Sequence, residues 1–236
     1  MKKYISELFM ACLLLICFFF LSRQAAEVSN NLNDKKVQDN VIVLDAGHGG
    51  IDPGMLGIGG LEEKKINLEV ALRLQQLLES KGFTVVMTRS EDKGLYDESS
   101  NSKKSQDMQR RIALINESKP VLTVSIHQNS YQDSSVKGPQ VFYFQHSAEG
   151  EKLARALQES LNTGLAVERP RKEKANTTYY LLKRSEGTLV IAECGFLTNP
   201  DEAALLQTEE YQEKVAAALA EGILTYLEEE GKYKKV

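Results

Sequence analysis

From Val41 onward, short apolar runs of strand length alternate with longer stretches whose apolar residues recur every three or four positions. The first strand is predicted at Val41–Leu44 and the helix after it over Glu62–Lys81. Further strands are predicted at Phe83–Thr88, Val121–Ile126, Val141–Phe144, Tyr179–Leu182 and Leu189–Ala192, and further helices at Met108–Asn116, Glu149–Leu161 and Glu209–Glu228. Strands that alternate with helices build a mainly parallel sheet. The sequence therefore predicts one globular α/β domain over residues 41–230, followed by a tail at 231–236.

The first residues predict export. Lys2 and Lys3 precede an unbroken apolar run of 14 residues, Leu8–Leu21, and polar sequence follows the run. This order is typical of a secretory signal. A bilayer span needs roughly 20 residues, so the run with its flanks would make only a marginal anchor. We expect residues 1–26 to be a signal peptide or a membrane anchor, with cleavage left open, and residues 27–40 to be a polar linker. The remaining chain is expected to work outside the cytoplasmic membrane, which only the N-terminal segment contacts.

Charge and cysteine content narrow the possible functions. The 29 Lys and Arg residues are outnumbered by 33 Asp and Glu residues, which gives a formal net charge of −4. A general nucleic-acid binder needs a basic excess, so no nucleic-acid partner is expected. Two of the three cysteines, Cys12 and Cys17, lie in the apolar run, which leaves Cys194 in the folded part and excludes a disulfide framework.

Polar side chains follow three of the predicted strands. His48 follows the first strand, His127 the third and Glu193 the sixth. The functional crevice of an open α/β sheet lies at the carboxyl ends of its strands. The first helix begins with two acidic residues, Glu62 and Glu63, that can point back to this edge, and helix phase alone does not separate them. We therefore expect two histidines and two carboxylates to converge at one edge of the sheet.

Such a set of groups indicates metal-dependent hydrolysis. Two imidazoles and one carboxylate, with a fourth position open, are what hydrolytic zinc requires, and the metal lowers the pKa of a bound water towards about 7. A second carboxylate, free of the metal, is then needed to take the proton and deliver it to the leaving group. Glu63 and Glu193 can divide these two roles. Glycines around His48, at positions 47, 49 and 50, allow sharp turns and keep space for the ion.

Two other chemistries fit the pattern less well. The Gly-rich stretch Ala46–Gly60 suggests phosphate binding, but it has no Gly-Lys-Ser/Thr ending and no GxGxxG that opens a helix. Cys194 suggests a cysteine hydrolase with His127 as the base. Neighbouring side chains of a strand point to opposite faces, so Cys194 packs away from the site if Glu193 reaches it.

Four segments of the chain match a known family together. They are Asp45–Gly54 (DAGHGGIDPG), Glu63–Leu68 (EKKINL), Ser125–Asn129 (SIHQN) and Glu193–Asn199 (ECGFLTN). In this order and spacing they resemble the zinc-dependent N-acetylmuramoyl-L-alanine amidases of the amidase-3 class, and the resemblance spans about residues 41–228. It implies a mostly parallel six-stranded sheet flanked by helices. It also implies hydrolysis of the amide between the lactyl group of N-acetylmuramic acid and L-alanine of the peptidoglycan stem peptide.

The resemblance also assigns roles, position by position. It implies that His48, Glu63 and His127 bind one zinc ion and that Glu193 is the catalytic carboxylate, and it selects Glu63 over Glu62. Residues expected around these groups, to orient the histidines or to contact substrate, are Asp45, Asn67, Asn129 and Lys183. The chain departs from the family pattern at Lys65, Cys194 and Lys183, none of which belongs to the metal set.

A narrower resemblance concerns the setting. The Leu95-Tyr96 pair, the polar insert Ser99–Ser105 and the lack of an appended wall-binding repeat are similar to the germination-specific amidases of spore formers. These act on cortex peptidoglycan so that muramic-δ-lactam can form, together with a deacetylase, which would place the chain between the forespore membranes. The predicted long loop at Ser90–Asp107 and the basic stretch Arg169–Lys174 have three interpretations. Solvated surface is the favoured one, and the others are docking of an exported activator protein and binding of an anionic glycan. The alternatives carried forward are a zinc peptidase on stem-peptide bonds and a non-catalytic wall-binding protein.

Overall fold

The computed structural model describes Phe18, Phe20, Arg23 and residues 38–234 of the chain. The predicted signal peptide or anchor and most of the predicted linker lie outside the described residues. Within the part that is described, no helix combines the length and the apolar character that crossing a membrane requires. The chain from Gln38 onward forms one compact unit, which contains all elements described below.

This unit contains one sheet of six strands. The strands are β1 (Gln38–Ala46), β2 (Thr84–Met87), β3 (Pro120–Asn129), β4 (Gln140–Phe144), β5 (Lys174–Asn176) and β6 (Leu189–Phe196). The helices are α1 (Glu63–Ser80), α2 (Lys103–Ser118), α3 (Ala148–Gly164), α4 (Tyr180–Arg184), α5 (Pro200–Leu206) and α6 (Glu209–Glu229), with a 3₁₀ turn at Ile58–Gly60. The strand order is β2-β1-β3-β6-β4-β5.

The sheet is parallel except at one pairing. β1 pairs in parallel with β2 and β3, β3 with β6, and β4 with β5, whereas β4 runs antiparallel to β6. All residues of β6 and most of β3 are buried, which is typical of strands covered by helices on both faces. The predicted α/β fold with a mostly parallel six-stranded sheet is confirmed.

Helices cover both faces of the sheet. The larger apolar core lies between one face and helices α1, α3 and α6, and it includes the Cys194 side chain. The smaller core lies on the other face, where Val43, Phe142 and Ile191 meet side chains of α2 and α4. Because Glu193 and Cys194 are neighbours on β6, the burial of Cys194 in the larger core leaves Glu193 on the opposite face, as the alternation predicted.

Several predicted elements differ from the structure. The segment Tyr179–Leu182 is predicted as a strand, but all of it except Tyr179 belongs to the short helix α4. The strand β5 instead begins at the last residue of the predicted basic loop. The side-chain oxygen of Asn176 accepts the N–H groups of Thr178 and Tyr179, and this turn starts the helix. The predicted linker also reaches too far, because β1 begins at Gln38. Helix α2 begins at Lys103, so the predicted loop at 90–107 is shorter than expected.

Candidate metal centre

Three side chains converge at the carboxyl edge of the sheet. His48 lies in the turn after β1, Glu63 in the first turn of α1, and His127 near the end of β3. The Nε2 atom of His48 is 3.1 Å from Oε2 of Glu63, and the Nδ1 atom of His127 is 2.9 Å from Oε1 of the same carboxylate. One potential ligand atom from each residue lies within 4.8 Å of the other two. The structure therefore brings together the three residues that the sequence analysis expected to bind the metal.

The backbone around this cluster requires glycine at two positions. A side chain at Gly47 would collide with the ring of His127, and a Cβ at Gly54 would lie 2.5 Å from Oε2 of Glu63. His48 itself adopts a left-handed conformation with φ of 63°, which is uncommon for a residue with a side chain. The predicted role of the glycines, to leave space around the cluster, agrees with this packing.

Glu63 is held as an ionised carboxylate. Burial alone would raise its pKa, but hydrogen bonds with His127 and His48 lower the pKa well below its ordinary value. Its oxygens also accept the backbone N–H groups of Met55 at 2.8 Å and Gln128 at 3.0 Å. The neighbouring Glu62 carboxylate instead pairs with Lys65 at 2.7 Å on the surface of α1. The geometry thus separates two glutamates that helix phase left unresolved.

Glu193 differs from Glu63 in its partners. It lies beside His127 in the register between β3 and β6, and 8% of its surface is exposed. Its Oε2 atom is buried and has no hydrogen-bond partner among the described residues. Burial raises the pKa of Glu193 to about 7. A carboxyl group with this pKa and a free oxygen is suited to accept and release a proton near neutral pH.

A cavity of about 290 Å³ opens onto these groups. Its polar side is formed by the two histidines, Glu63 and Glu193. Its other wall is formed by Met108, Tyr179, Tyr180, Leu181 and Ile191. Half of the surface of Tyr180 is exposed, and the Arg184 guanidinium lies 5.6 Å from the centroid of its ring.

Asp45 is linked to the turn that carries His48 through an arginine. Its carboxylate accepts hydrogen bonds from Arg111 and from the Ser125 hydroxyl, both at 2.6 Å. Arg111, buried in α2, also donates to the carbonyl oxygens of Ala46 at 2.9 Å and His48 at 2.5 Å. Asp45, expected to orient the histidines or to contact substrate, lines the cavity and reaches the His48 segment through Arg111, with no direct hydrogen bond to a histidine ring among the described residues.

Two arginines that the sequence analysis did not single out hold this turn. Arg89, which follows β2, donates to the carbonyl oxygens of Ala46 at 2.8 Å, Gly47 at 3.0 Å and Lys64 at 2.7 Å. Arg111 donates to the carbonyl oxygen of His48, the residue after Gly47. No local pattern around either arginine reveals this role, because the acceptors are backbone atoms distant in sequence.

Asp52 is a third residue that the sequence analysis missed. Its Oδ2 atom is 2.8 Å from Nδ1 of His48, and its Oδ1 atom is 2.8 Å from the Lys104 ammonium. The available signal was its spacing, four residues after His48 within the Gly-rich turn.

The remaining expected residues have different surroundings. Asn67 donates to Oε1 of Glu63 at 3.1 Å and to the Gly47 carbonyl at 3.1 Å, so it lies against a cluster residue. The side-chain oxygen of Asn129 accepts the N–H of Ser130, and the structure gives no support to its expected contact with a histidine. Lys183 is exposed on α4 and does not line the cavity.

Two imidazoles and a carboxylate beside a free glutamate, at the carboxyl edge of an α/β sheet, are typical of metal-dependent hydrolases. Within that class the comparisons with known proteins are specific. The chain belongs to the Amidase_3 family, N-acetylmuramoyl-L-alanine amidase, whose family model matches residues 42–225. The predictions of the family and of an amidase enzyme are confirmed.

Individual relatives agree with this assignment. The chain is 40% identical to the germination-specific N-acetylmuramoyl-L-alanine amidase of Bacillus subtilis (strain 168), over 81% of this chain and 81% of that protein. Among solved structures it is similar to the CwlD amidase from Clostridioides difficile in complex with the GerS lipoprotein, with a TM-score of 0.78 and 39% identity over 80% of this chain and 98% of that one. It is also similar to the catalytic domain of CwlV from Bacillus (Paenibacillus) polymyxa var. colistinus, with a TM-score of 0.71 and 29% identity over 80% and 98% of the two chains.

Proposed function

We propose that the chain is a zinc-dependent amidase that cleaves peptidoglycan between the lactyl group of N-acetylmuramic acid and L-alanine of the stem peptide. The observation that carries the proposal is the convergence of His48, Glu63 and His127 within 4.8 Å, beside a buried and unpartnered oxygen of Glu193. Membership of the Amidase_3 family supports the choice of bond.

The residues present fit a zinc ion. Imidazole nitrogen and carboxylate oxygen are ligands that zinc accepts in catalytic sites, with one position left open. The electrostatics also favour a cation here. Burial alone would lower the pKa of His127, but its hydrogen bond with Glu63 raises the pKa to about 9, so the site stabilises positive charge. When bound, zinc would polarise the amide carbonyl and lower the pKa of a water molecule.

The chain's own residues then divide the proton transfers. Glu193 accepts the proton of the attacking water on its free oxygen and delivers it to the departing nitrogen of alanine, as a general base and then a general acid. His48, Glu63 and His127 fix the position of the ion relative to this carboxylate. The aromatic wall at Tyr179 and Tyr180 offers an apolar surface for the sugar or the peptide.

We propose spore cortex as the setting, with amide cleavage preceding formation of muramic-δ-lactam. Identities of 40% to the germination-specific amidase of Bacillus subtilis and 39% to CwlD support this setting. In this setting the enzyme would act outside the cytoplasmic membrane, between the forespore membranes. Residues 1–26 would be the signal peptide or anchor, 27–37 the linker and 38–230 the catalytic domain. The solved complex of CwlD with a lipoprotein supports an exported partner for this chain as well.

A digest of purified cortex-type peptidoglycan, with and without chelator, tests the function. We expect mass spectrometry to show free peptides that begin with L-alanine, loss of this product in chelator, and recovery on adding zinc. Peptides released while alanine stays on muramic acid would indicate a stem-peptidase, and binding with no release would indicate a wall-binding protein. A parallel digest of vegetative-type wall tests the cortex preference.

A matched pair of variants links the activity to the site. Glu63→Gln should abolish peptide release, because it removes a cluster carboxylate. Glu62→Gln changes the adjacent, partly exposed glutamate, which pairs with Lys65, and should leave peptide release unchanged. Equal activities of the two variants would contradict the proposed metal set.

A further inference from the structure

The two histidines of the cluster face Glu63 through different nitrogen atoms. His48 presents Nε2 to Glu63 at 3.1 Å and turns Nδ1 away from the cluster, whereas His127 presents Nδ1 at 2.9 Å. Behind His48, Oδ2 of Asp52 lies 2.8 Å from Nδ1. Among the described residues, Asp52 supplies the carboxylate that contacts a cluster histidine on the side away from Glu63. An acceptor at Nδ1 places the proton there and leaves the lone pair of Nε2 free for a metal.

The other oxygen of Asp52 has its own donors. Oδ1 accepts a hydrogen bond from the Lys104 ammonium at 2.8 Å and is 3.4 Å from the N–H of Gly54. Lys104 lies in the first turn of α2, 52 residues away in sequence, with 67% of its side chain exposed. Both oxygens of Asp52 therefore face donors, and the carboxylate plane is fixed from two sides.

We infer that Asp52 is a positioning residue that sets the proton of His48 on Nδ1, and that Lys104 determines which of the two terminal atoms of the residue-52 side chain faces the histidine. This inference rests on the proposed zinc function. It assigns to Lys104, at the start of α2, the orientation of the residue-52 side chain, which the activity alone does not require.

The variant Asp52→Asn tests the first part, because an amide has one acceptor and one donor end. Lys104 and the Gly54 N–H both require an oxygen at the Oδ1 position, so the amide nitrogen must face Nδ1 of His48. That nitrogen donates, so the histidine proton moves to Nε2 and blocks the metal-binding atom. We expect zinc affinity to fall by about 10- to 100-fold, the usual effect of losing such a partner.

A second substitution tests the role of Lys104. Lys104→Met removes the ammonium and leaves only the long contact with the Gly54 N–H, so the amide of Asn at position 52 can rotate and turn its oxygen to His48. The double variant Asp52→Asn/Lys104→Met should therefore bind zinc at least about threefold more tightly than Asp52→Asn alone. If the two substitutions acted independently, their effects on zinc affinity would add and the double variant would bind no more tightly. Lys104→Met alone should change zinc affinity by less than about fivefold, as for an exposed ion pair.

The measurement is the zinc dissociation constant of the full chain, by competition with a chromophoric chelator. Glu91→Gln and Lys93→Met, alone and combined, are matched controls, because these residues form an exposed ion pair at 2.8 Å in the nearby loop. Thermal unfolding of the metal-free proteins should be similar across the set, which separates metal positioning from folding.

Each outcome has a defined meaning. Zinc binding by wild type with equal affinity in Asp52→Asn overturns the role of Asp52. A double variant that binds zinc no better than Asp52→Asn overturns the role of Lys104. A wild-type chain that binds no zinc contradicts the proposed function itself, and so is distinguishable from both.

Discussion

Two buried glutamates at the same site have opposite acid–base properties. Hydrogen bonds with two histidines lower the pKa of Glu63, whereas burial without a partner raises the pKa of Glu193 to about 7. Environments that separate the pKa values of two neighbouring carboxylates commonly mark a division of catalytic roles. In the proposed mechanism the division is between binding the ion and moving the proton.

Glu193→Gln should separate these two roles. The amide is isosteric but accepts no proton, so we expect turnover to fall by about 10²- to 10⁴-fold while zinc content stays at the wild-type level. Elemental analysis and peptide release on the same samples check this. His48→Ala is the opposite case and should lose the metal. Near-wild-type turnover by a zinc-loaded Glu193→Gln protein would remove this residue from the mechanism.

Asp45→Asn should destabilise the metal-free protein by about 3 kcal/mol at pH 7, because Arg111 loses a buried partner. Burial would raise the pKa of Asp45, but the Arg111 charge and the Ser125 hydroxyl lower it to about 2. A lowered pKa stabilises the fold above the unfolded value of about 3.9 and stops doing so as pH falls through the folded value.

The stability difference between wild type and Asp45→Asn should therefore be constant from pH 7 to 5 and shrink between about pH 4 and 2. Urea unfolding at a series of pH values measures it. Asp133→Asn, at an exposed turn, is the control: the hydrogen bond from Ser135 lowers the pKa of Asp133, but the group is exposed to solvent, so its pH-dependent difference should be much smaller. A difference independent of pH would mean that the carboxylate charge is not what stabilises the buried pair.

At the residue scale, the sequence predicted the groups that follow strands. His48, His127 and Glu193 stand where an α/β sheet concentrates function, so position alone indicates them. Asp52 and the two buried arginines were missed because their partners are a ring nitrogen and backbone carbonyls. The location of those partners depends on how segments distant in sequence pack together, so no periodic sequence pattern predicts it.

At the scale of elements, helices α3 and α6 approach each other closely at a glycine. A Cβ at Gly222 would lie 2.7 Å from Cα of Leu157 and 3.0 Å from the carbonyl oxygen of Ala156. These are backbone atoms, which cannot rotate away as a side chain can. The contact joins two of the three helices, α1, α3 and α6, that cover the larger core, so its geometry sets how they cover the sheet.

Gly222→Ala should therefore destabilise the protein by about 1–3 kcal/mol through overpacking. Helix propensity alone predicts the opposite sign, a gain of about 1 kcal/mol. Urea unfolding with and without the substitution decides between the two. Ala217→Gly, on the exposed side of the same helix, reports the propensity effect separately. A stabilised Gly222→Ala protein would contradict the close approach.

Elements were predictable where their periodicity was long. Helices α1 and α6 were found within a few residues because apolar side chains repeat over many turns. A four-residue apolar run such as Tyr179–Leu182 fits a strand or a helix equally, and here the Asn176 turn decides for the helix. The missed helix α5 had a signal in Asn199 followed by Pro200, a capping residue before a proline at the first helical position. The antiparallel direction of β4 depends on the path of the chain and leaves no local pattern.

At the scale of the whole molecule, the proposed ion should stabilise the fold. A ligand that binds only the native state adds about 2.7 kcal/mol to the free energy of unfolding at a concentration 100 times its dissociation constant. We expect zinc to raise the melting temperature of wild type and of Glu193→Gln, and chelator to reverse the rise. His127→Ala should show no rise. A rise of equal size in His127→Ala would place the ion elsewhere.

The cluster residues come from the turn after β1, the start of α1 and the end of β3. A nascent or truncated chain that ends before His127 contains only two of the three cluster residues. In an unfolded chain the three residues are not held close together. Binding of the proposed ion would therefore follow assembly of the sheet. The zinc content of a purified batch would then set the fraction of molecules able to turn over, and specific activity should scale with it from one preparation to the next.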